Sequence, residues 1–453
     1  MMNAKQLAEK ACTFLSASTD PYHAVQNSIK ILEAAGFRRI APFSSDTSTN
    51  GTTTTTTETT PSTLHAGGKY YYTVQSSTLV AFAVGSKLVS ATSNFGFHII
   101  GGHTDSPNIR IKPKSQKMPK KANTTQLSVE CYGGGLWHTW FDRDLSISGK
   151  VLVRSSSSDT AIAQRLVQFK EPIARVSTLC IHLETPAERE AFKVNREDHT
   201  SPIIATTTAN TTSDTGGKEI IASSVLEQIS NSNDSWLQGQ EPLLLQRIAS
   251  ELNVNVTQIA DYDLSLYDIQ PATIGGIQKE FIYSGRLDNL ATVFNAVTAL
   301  SLLDVNESSD VSMVVCFDHE EVGSVSANGA GSPVLHEAVK FVSASLGNTT
   351  SLQHSSSIQK SFCLSIDQAH AVHPNYMSKH DPVHSPMMNG GIVVKSNANQ
   401  RYATNSLTGF VMRELGRICS VPIQEFSGTC EISYLLALDK KLESVLQLVC
   451  ESN

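Results

Sequence analysis

Histidine, aspartate and glutamate close three apolar runs of this chain: Gly102-His103-Thr104-Asp105, Cys316-Phe317-Asp318-His319-Glu320-Glu321 and Ile366-Asp367-Gln368-Ala369-His370. Another carboxylate stands in Arg286-Leu287-Asp288-Asn289. Imidazole nitrogen and carboxylate oxygen are the donors that divalent cations take. Their mixture favours zinc, and manganese or cobalt suit the same set. His103 and Asp105 are spaced i, i+2, so on extended backbone they share a side, and the carboxylate can fix an imidazole that binds metal. Adjacent glutamates at a strand end repel each other unless a cation or a water network balances them. One of Glu320 and Glu321 would then be a ligand and the other a base taking a proton from metal-activated water. Each motif alone has a plainer reading: a structural His-x-Asp pair, a solvated Glu-Glu turn, or a helix N-cap at Asp288 or Asp367. Together they offer a carboxylate to bridge two ions roughly 3.5–4 Å apart, a donor for each ion and a spare glutamate, the layout for metal-assisted hydrolysis.

Such sites form beyond the carboxyl ends of strands in open α/β sheets, and all three segments follow strand-like runs. Between Ala4 and Gly36 apolar residues recur at helical spacing with a break near Asp20-Pro21, which predicts two helices. Tyr70 to Val74 and Thr78 to Val84 read as a hairpin split by Gln75-Ser76-Ser77. From Asp288 onward, helical and strand patterns alternate: Leu290 to Leu303, Val311 to Phe317, Val334 to Leu346 and Ser361 to Ile366. That alternation predicts an α/β domain with a largely parallel sheet. Between Leu127 and Ile204 strand-like runs dominate, Leu179 to Leu183 among them, and predict a separate β-rich unit. The Ser/Thr tracts 44–63 and 206–217 bury almost nothing and read as disordered surface loops.

A chain of 453 residues is long enough for two or three domains, and its net charge of −7 argues against nucleic acid as a partner. The densest basic stretch, Lys112 to Lys121, reads as a solvated loop. No apolar run approaches the roughly 20 residues that span a bilayer, and the N-terminus lacks the pattern of a secretory signal. Eight scattered cysteines without a Cys-x-x-Cys pair fit a reducing compartment, so the expected location is cytoplasmic.

The resemblance to a known family rests on an ordered series of segments. They are Phe14-Leu15-Ser16-Ala17-Ser18, Gly102-His103-Thr104-Asp105-Ser106-Pro107, Glu130-Cys131-Tyr132-Gly133-Gly134-Gly135, Trp140-Phe141-Asp142-Arg143-Asp144-Leu145, Arg286-Leu287-Asp288-Asn289, Asp318-His319-Glu320-Glu321-Val322-Gly323-Ser324 and Ala369-His370-Ala371-Val372-His373-Pro374-Asn375-Tyr376. In this order they resemble the aspartyl aminopeptidases, cytosolic co-catalytic zinc enzymes that remove N-terminal Asp or Glu. The resemblance implies an α/β fold, a mixed sheet flanked by helices, with an inserted β-rich dimerisation domain. Residues 1–105 and 259–453 would form the metallopeptidase domain and 106–258 the insert.

It further implies two zinc ions: His103 and Asp367 on one, Glu321 on the other, and Asp288 between them. Glu320 would be the general base, and Asp105 would support His103. His370, Lys395 and Tyr402 would contact a peptide with an acidic N-terminus, and His182 would reach a neighbouring subunit's site to help stabilise the oxyanion. The implied assembly is a homo-dodecamer, with neither nucleic acid nor membrane as partner.

After Gly428 the pattern departs from the family, whose terminal Met-His-Ser segment completes the second zinc site; here no histidine follows His384. Helical spacing of Leu435, Leu438, Leu442, Val445, Leu446 and Val449 suggests an amphipathic tail. The second ion would then keep Asp288 and Glu321 with water in place of the imidazole. The alternative function is a catalytically impaired subunit that still assembles as a scaffold.

Overall fold

The computed structural model describes residues 3–42, 64–88, 95–117, 122–155, 158–206, 221–399 and 401–427. The tract 44–63, positions 207–217 and the tail from Gly428 lie outside them, whereas Thr206 closes a short strand, Ile203–Thr206. The chain divides into two compact units, Met1–Asp105 with Pro271–Asn453, and Ser106–Gln270.

In the first unit Asn3 and Gln6 form a capping box that starts the helix Ala4–Ala17, and Asp20 with Pro21 starts Pro21–Ala34. Leu7, Ala11, Phe14 and Leu15 form the buried stripe of the first helix. A mixed sheet of six strands follows the order Arg38–Arg39, Lys69–Val74, Thr78–Val84, Val311–Phe317, Phe97–His103 and Phe362–Ser365. The last three run parallel; Val311–Phe317 pairs antiparallel with Thr78–Val84 on its other side. Every residue of Val311–Phe317 is buried, as a mostly apolar run with a strand on each side requires. One face packs on Leu287, Leu290, Phe294 and Val297 of the helix Leu287–Leu302 together with the two N-terminal helices. The other packs on Ala338, Val339 and Val342 of Val334–Ser345. Helices on both faces leave the strand ends as the exposed place for chemistry. Further along, Ile392–Ser396 and Ile423–Ser427 pair in parallel, with the helix Ser406–Cys419 between them in sequence. This separate ribbon was not legible in the sequence.

The second unit holds an antiparallel sheet in the order Ser158–Gln168, Leu145–Ser155, Ile259–Asp268, Asn108–Gln116, Thr124–Tyr132 and Ile203–Thr206. Its core gathers Ile109, Leu127, Leu145, Ile147, Leu245, Ile248 and Leu266, the Leu245 and Ile248 side chains coming from the helix Pro242–Leu252. The unit runs to Gln270 rather than 258, because Ile259–Asp268 pairs with Leu145–Ser155 along its length. Leu179 to Leu183, read as a strand, forms instead a single turn of 3-10 helix at Ile181–Leu183. Leu179, Ile181 and Leu183 are exposed there, so the alternation that resembled a half-buried strand finds no sheet among the described residues.

Candidate metal centre

Register brings the chemistry together. His103 lies opposite Phe317, and Ser365 opposite Gly101, so three parallel strands end side by side. The Thr104 amide donates to the Phe317 carbonyl at 2.7 Å, and the Ile366 amide to the Gly101 carbonyl at 2.8 Å, so the pairing continues into the loops. Those loops carry Asp105, Asp318 to Glu321 and Asp367.

Two groups of side chains offer ligand atoms within 4.8 Å of one another: His103 with Asp288 and Asp367, and His103 with Glu320 and Glu321. Asp288 thus falls in one group and Glu321 in the other, with the imidazole shared. The His103 Nε2 stands 3.4 Å from Asp288, 3.7 Å from Asp367 and 3.7 Å from Glu320. Its Nδ1 is 3.0 Å from the main-chain oxygen of Asp105, which fixes the tautomer that leaves Nε2 to face the carboxylates. The Asp105 carboxylate, completely buried, accepts the backbone amides of Glu320 and Glu321, both at 3.1 Å.

The helix Leu287–Leu302 is entered at Arg286 without a side-chain cap, and Asp288, in extended backbone at a kink in its first turn, brings its carboxylate to 3.4 Å from the His103 ring. Arg286, in left-handed backbone, secures this entry by donating to the carbonyls of Ser18 and Leu15. Asn289 donates to the Ile366 carbonyl at 2.8 Å, and Gln368 reaches the Thr292 hydroxyl at 2.7 Å, tying the Asp288 and Asp367 loops together. On the other flank Thr78, at the end of the hairpin turn, accepts the Asp318 amide and donates to the Asn328 carbonyl, while Thr104 donates to the Ser77 carbonyl. Nothing local in the sequence marks Thr78, Ser77, Thr292 or Gln368 for this work, because each contact joins segments distant in the chain.

The electrostatics ask for a cation. Burial, reinforced by Asp288, Asp105 and Glu320 and opposed by His103, pushes the Glu321 carboxyl up to about 8. Burial raises Glu320 as well. Burial would lower His103, but Asp105, Asp288 and Asp367 hold it well above its ordinary value. Burial would raise Asp367, yet His103 and the Lys395 ammonium hold it well below the usual carboxylate range. Without metal the cluster must therefore keep protons to relieve its own repulsion. A divalent ion relieves the same repulsion, and the donor set of one imidazole and several carboxylates fits zinc.

Around this cluster, Lys395 donates to Asp367 at 3.1 Å and to the Gln368 carbonyl at 2.6 Å, with its ammonium 5.7 Å from the centre of the Tyr402 ring. The His370 ring stands edge-on to Phe426 at 5.2 Å and tilts against His380 at 5.6 Å. His182 belongs to the exposed turn of the second unit.

A family model described as aminopeptidase I zinc metalloprotease (M18) matches residues 14–430. A probable aspartyl aminopeptidase of Ricinus communis is 40% identical over 91% of this chain and 82% of its own length. An aspartyl aminopeptidase of Dictyostelium discoideum is 37% identical over 92% of this chain and 84% of its own length. Among solved structures, the Ape4 and Nbr1 complex superposes with a TM-score of 0.80 at 36% identity, covering 98% of this chain and 78% of the matched one. The S. cerevisiae mApe1 dodecamer superposes with a TM-score of 0.75 at 25% identity, covering 94% of this chain and 86% of the matched one.

Proposed function

The chain belongs to the M18 aminopeptidase family of zinc metalloproteases, and from that premise we propose that it releases acidic residues, Asp or Glu, from the N-termini of peptides. One observation carries this reading: His103, Asp288, Asp367, Glu320 and Glu321 converge at the ends of parallel strands with ligand atoms within 4.8 Å in each group. His103 and Asp367 would hold one zinc and Glu321 a second, with Asp288 shared between them. Bound there, zinc would supply Lewis acidity toward the peptide carbonyl and an activated water.

Glu320 is the proton carrier in this scheme. Its side chain is 49% exposed, so it can meet solvent and a departing amine while its backbone stays anchored. An ammonium has three donors, and Asp367 and Gln368 take two from Lys395, so the third suits a substrate carboxylate. Tyr402 flanks that ammonium, and both Tyr402 and His370, the latter edge-on to Phe426, would add substrate contacts. His182 would serve the site of a neighbouring copy in a homo-oligomer, for which the dodecameric relative is the precedent. No disulfide occurs among the described cysteines, and no helix of the described residues is long and apolar enough to cross a membrane, which suits a reducing cytoplasm.

The test is hydrolysis of Asp-, Glu- and Leu-anilides with added zinc. Zinc-dependent cleavage of the acidic pair, abolished by Glu320→Gln, supports the proposal. Preference for the Leu substrate, or no cleavage at saturating zinc, refutes it.

A further inference from the structure

Two neighbouring glutamates with different tasks need an anchor that keeps their carboxylates apart and aimed. The turn Glu320–Val322 has no side-chain cap of its own. It is entered through left-handed backbone at His319, φ 63°, and left through Gly323, φ 98°. The first amides of such a turn have no partner within it and need an acceptor from elsewhere. Both find it in one side chain on a different strand end: Asp105 Oδ1 takes the Glu320 amide and Oδ2 takes the Glu321 amide, each at 3.1 Å, with no part of Asp105 open to solvent. The His103 ring, meanwhile, is closer to the Asp105 main-chain oxygen, at 3.0 Å, than to its carboxylate, at 3.3 Å.

We propose that Asp105 is the positioning residue for the Glu320–Glu321 turn: its carboxylate fixes the two glutamates through their backbone, and its main-chain carbonyl orients His103. This rests on Glu320 being the proton carrier and adds how that carrier is held in place. A carboxylate with an acceptor for each of two adjacent amides sets both position and rotation of the peptide between them, which a single hydrogen bond cannot do. An asparagine in the same place would offer one oxygen and turn its amide hydrogens toward the second backbone N–H. The His103 ring would keep its main-chain acceptor at 3.0 Å and lose only the charge of the carboxylate at 3.3 Å.

The experiment uses the full chain, as purified and after chelation, with Asp105→Asn and, should that variant fail to fold, Asp105→Ser. Hydrogen-exchange mass spectrometry with fragmentation reads the amides of Glu320 and Glu321. Exchange there should accelerate roughly 10- to 100-fold, as loss of a hydrogen bond to a charged acceptor implies. With saturating zinc, kcat on an Asp-anilide should fall while KM holds, since the proton carrier and the neighbouring ligand Glu321 are displaced and the substrate contacts are not. Unchanged exchange at Glu320 and Glu321 alongside lost activity would overturn the proposal and return Asp105 to service of the His103 ring. The exchange result is independent of the function assigned to Glu320: accelerated exchange supports the anchor even if Glu320→Gln stays active, and that second outcome would strike only at the proton-carrier reading.

Discussion

The strand ends bearing His103, Asp105 and Asp318 differ from the stretch Asp367 to Tyr402 in what holds them. His103, Asp105 and Asp318 are buried at the ends of strands paired in register; the Thr104 amide between the first two donates to the Phe317 carbonyl, and the Asp318 amide donates to the Thr78 hydroxyl. Beyond Asp367 the chain is mostly irregular, with one 3-10 segment at Pro374–Lys379, and Tyr376, Met377, Val383 and Met387 stand exposed. Ligands on a rigid sheet keep their geometry without metal. The second region contributes a single proposed ligand, Asp367, held from within that region by the Lys395 ammonium at 3.1 Å, so a substrate that draws on Lys395 acts on that ligand directly.

Substitutions should separate the two regions. Glu320→Gln should lower kcat by about 10²- to 10⁴-fold, with no loss of thermal stability. An active variant would break the assignment of chemistry to the strand ends. His103→Ala should weaken zinc binding by calorimetry beyond the ~10–100-fold typical of outer-sphere losses, since it removes the imidazole common to both groups. Zinc affinity should rise with pH up to about 8. Below that value Glu321 in the metal-free protein holds a proton that zinc must displace, and the His103 imidazolium, raised by its carboxylate neighbours, adds to the same competition. Affinity flat between pH 6 and 8 would mean that Glu321 does not take part.

Effects in the second region should be smaller and fall on selectivity. Lys395→Met should raise KM for Asp-anilide roughly 10- to 100-fold, the cost of one lost charged hydrogen bond, and impair the Leu substrate less, through the lost hold on Asp367 alone. Packing shows the smallest contrast. Val315→Ala, in the fully buried central strand, should cost about 1–3 kcal/mol in denaturant unfolding, whereas Val393→Ala, half-buried in the ribbon, should stay within about 1 kcal/mol. Equal costs would erase the distinction between a rigid and a loosely packed region.

The strand ends were also the more legible region. The run Val311–Phe317 announces itself by apolar character broken only at Ser312, and the ligand types that follow it are rare enough together to point to metal. The hairpin, the two N-terminal helices and Leu287–Leu302 follow from turn residues, caps and periodicity. What escaped depends on partners far away in sequence. Nothing around Thr78 tells that its hydroxyl will take the Asp318 amide, 240 positions on. Pairing of Ile392–Ser396 with Ile423–Ser427 needs the crossover helix to be placed first. Leu179 to Leu183 has strand alternation yet no neighbouring strand, and the second unit extends to Gln270 because Ile259–Asp268 finds its register against Leu145–Ser155. Local pattern states what an element can be; the available partner decides what it becomes.

The most direct test is anomalous diffraction at the zinc edge from crystals of the full chain grown with zinc. A peak bonded to His103 Nε2, Asp288 and Asp367, with Glu321 next to it, is the expected result. A folded protein whose zinc peaks all lie away from these side chains would contradict the assignment of this cluster as the metal centre.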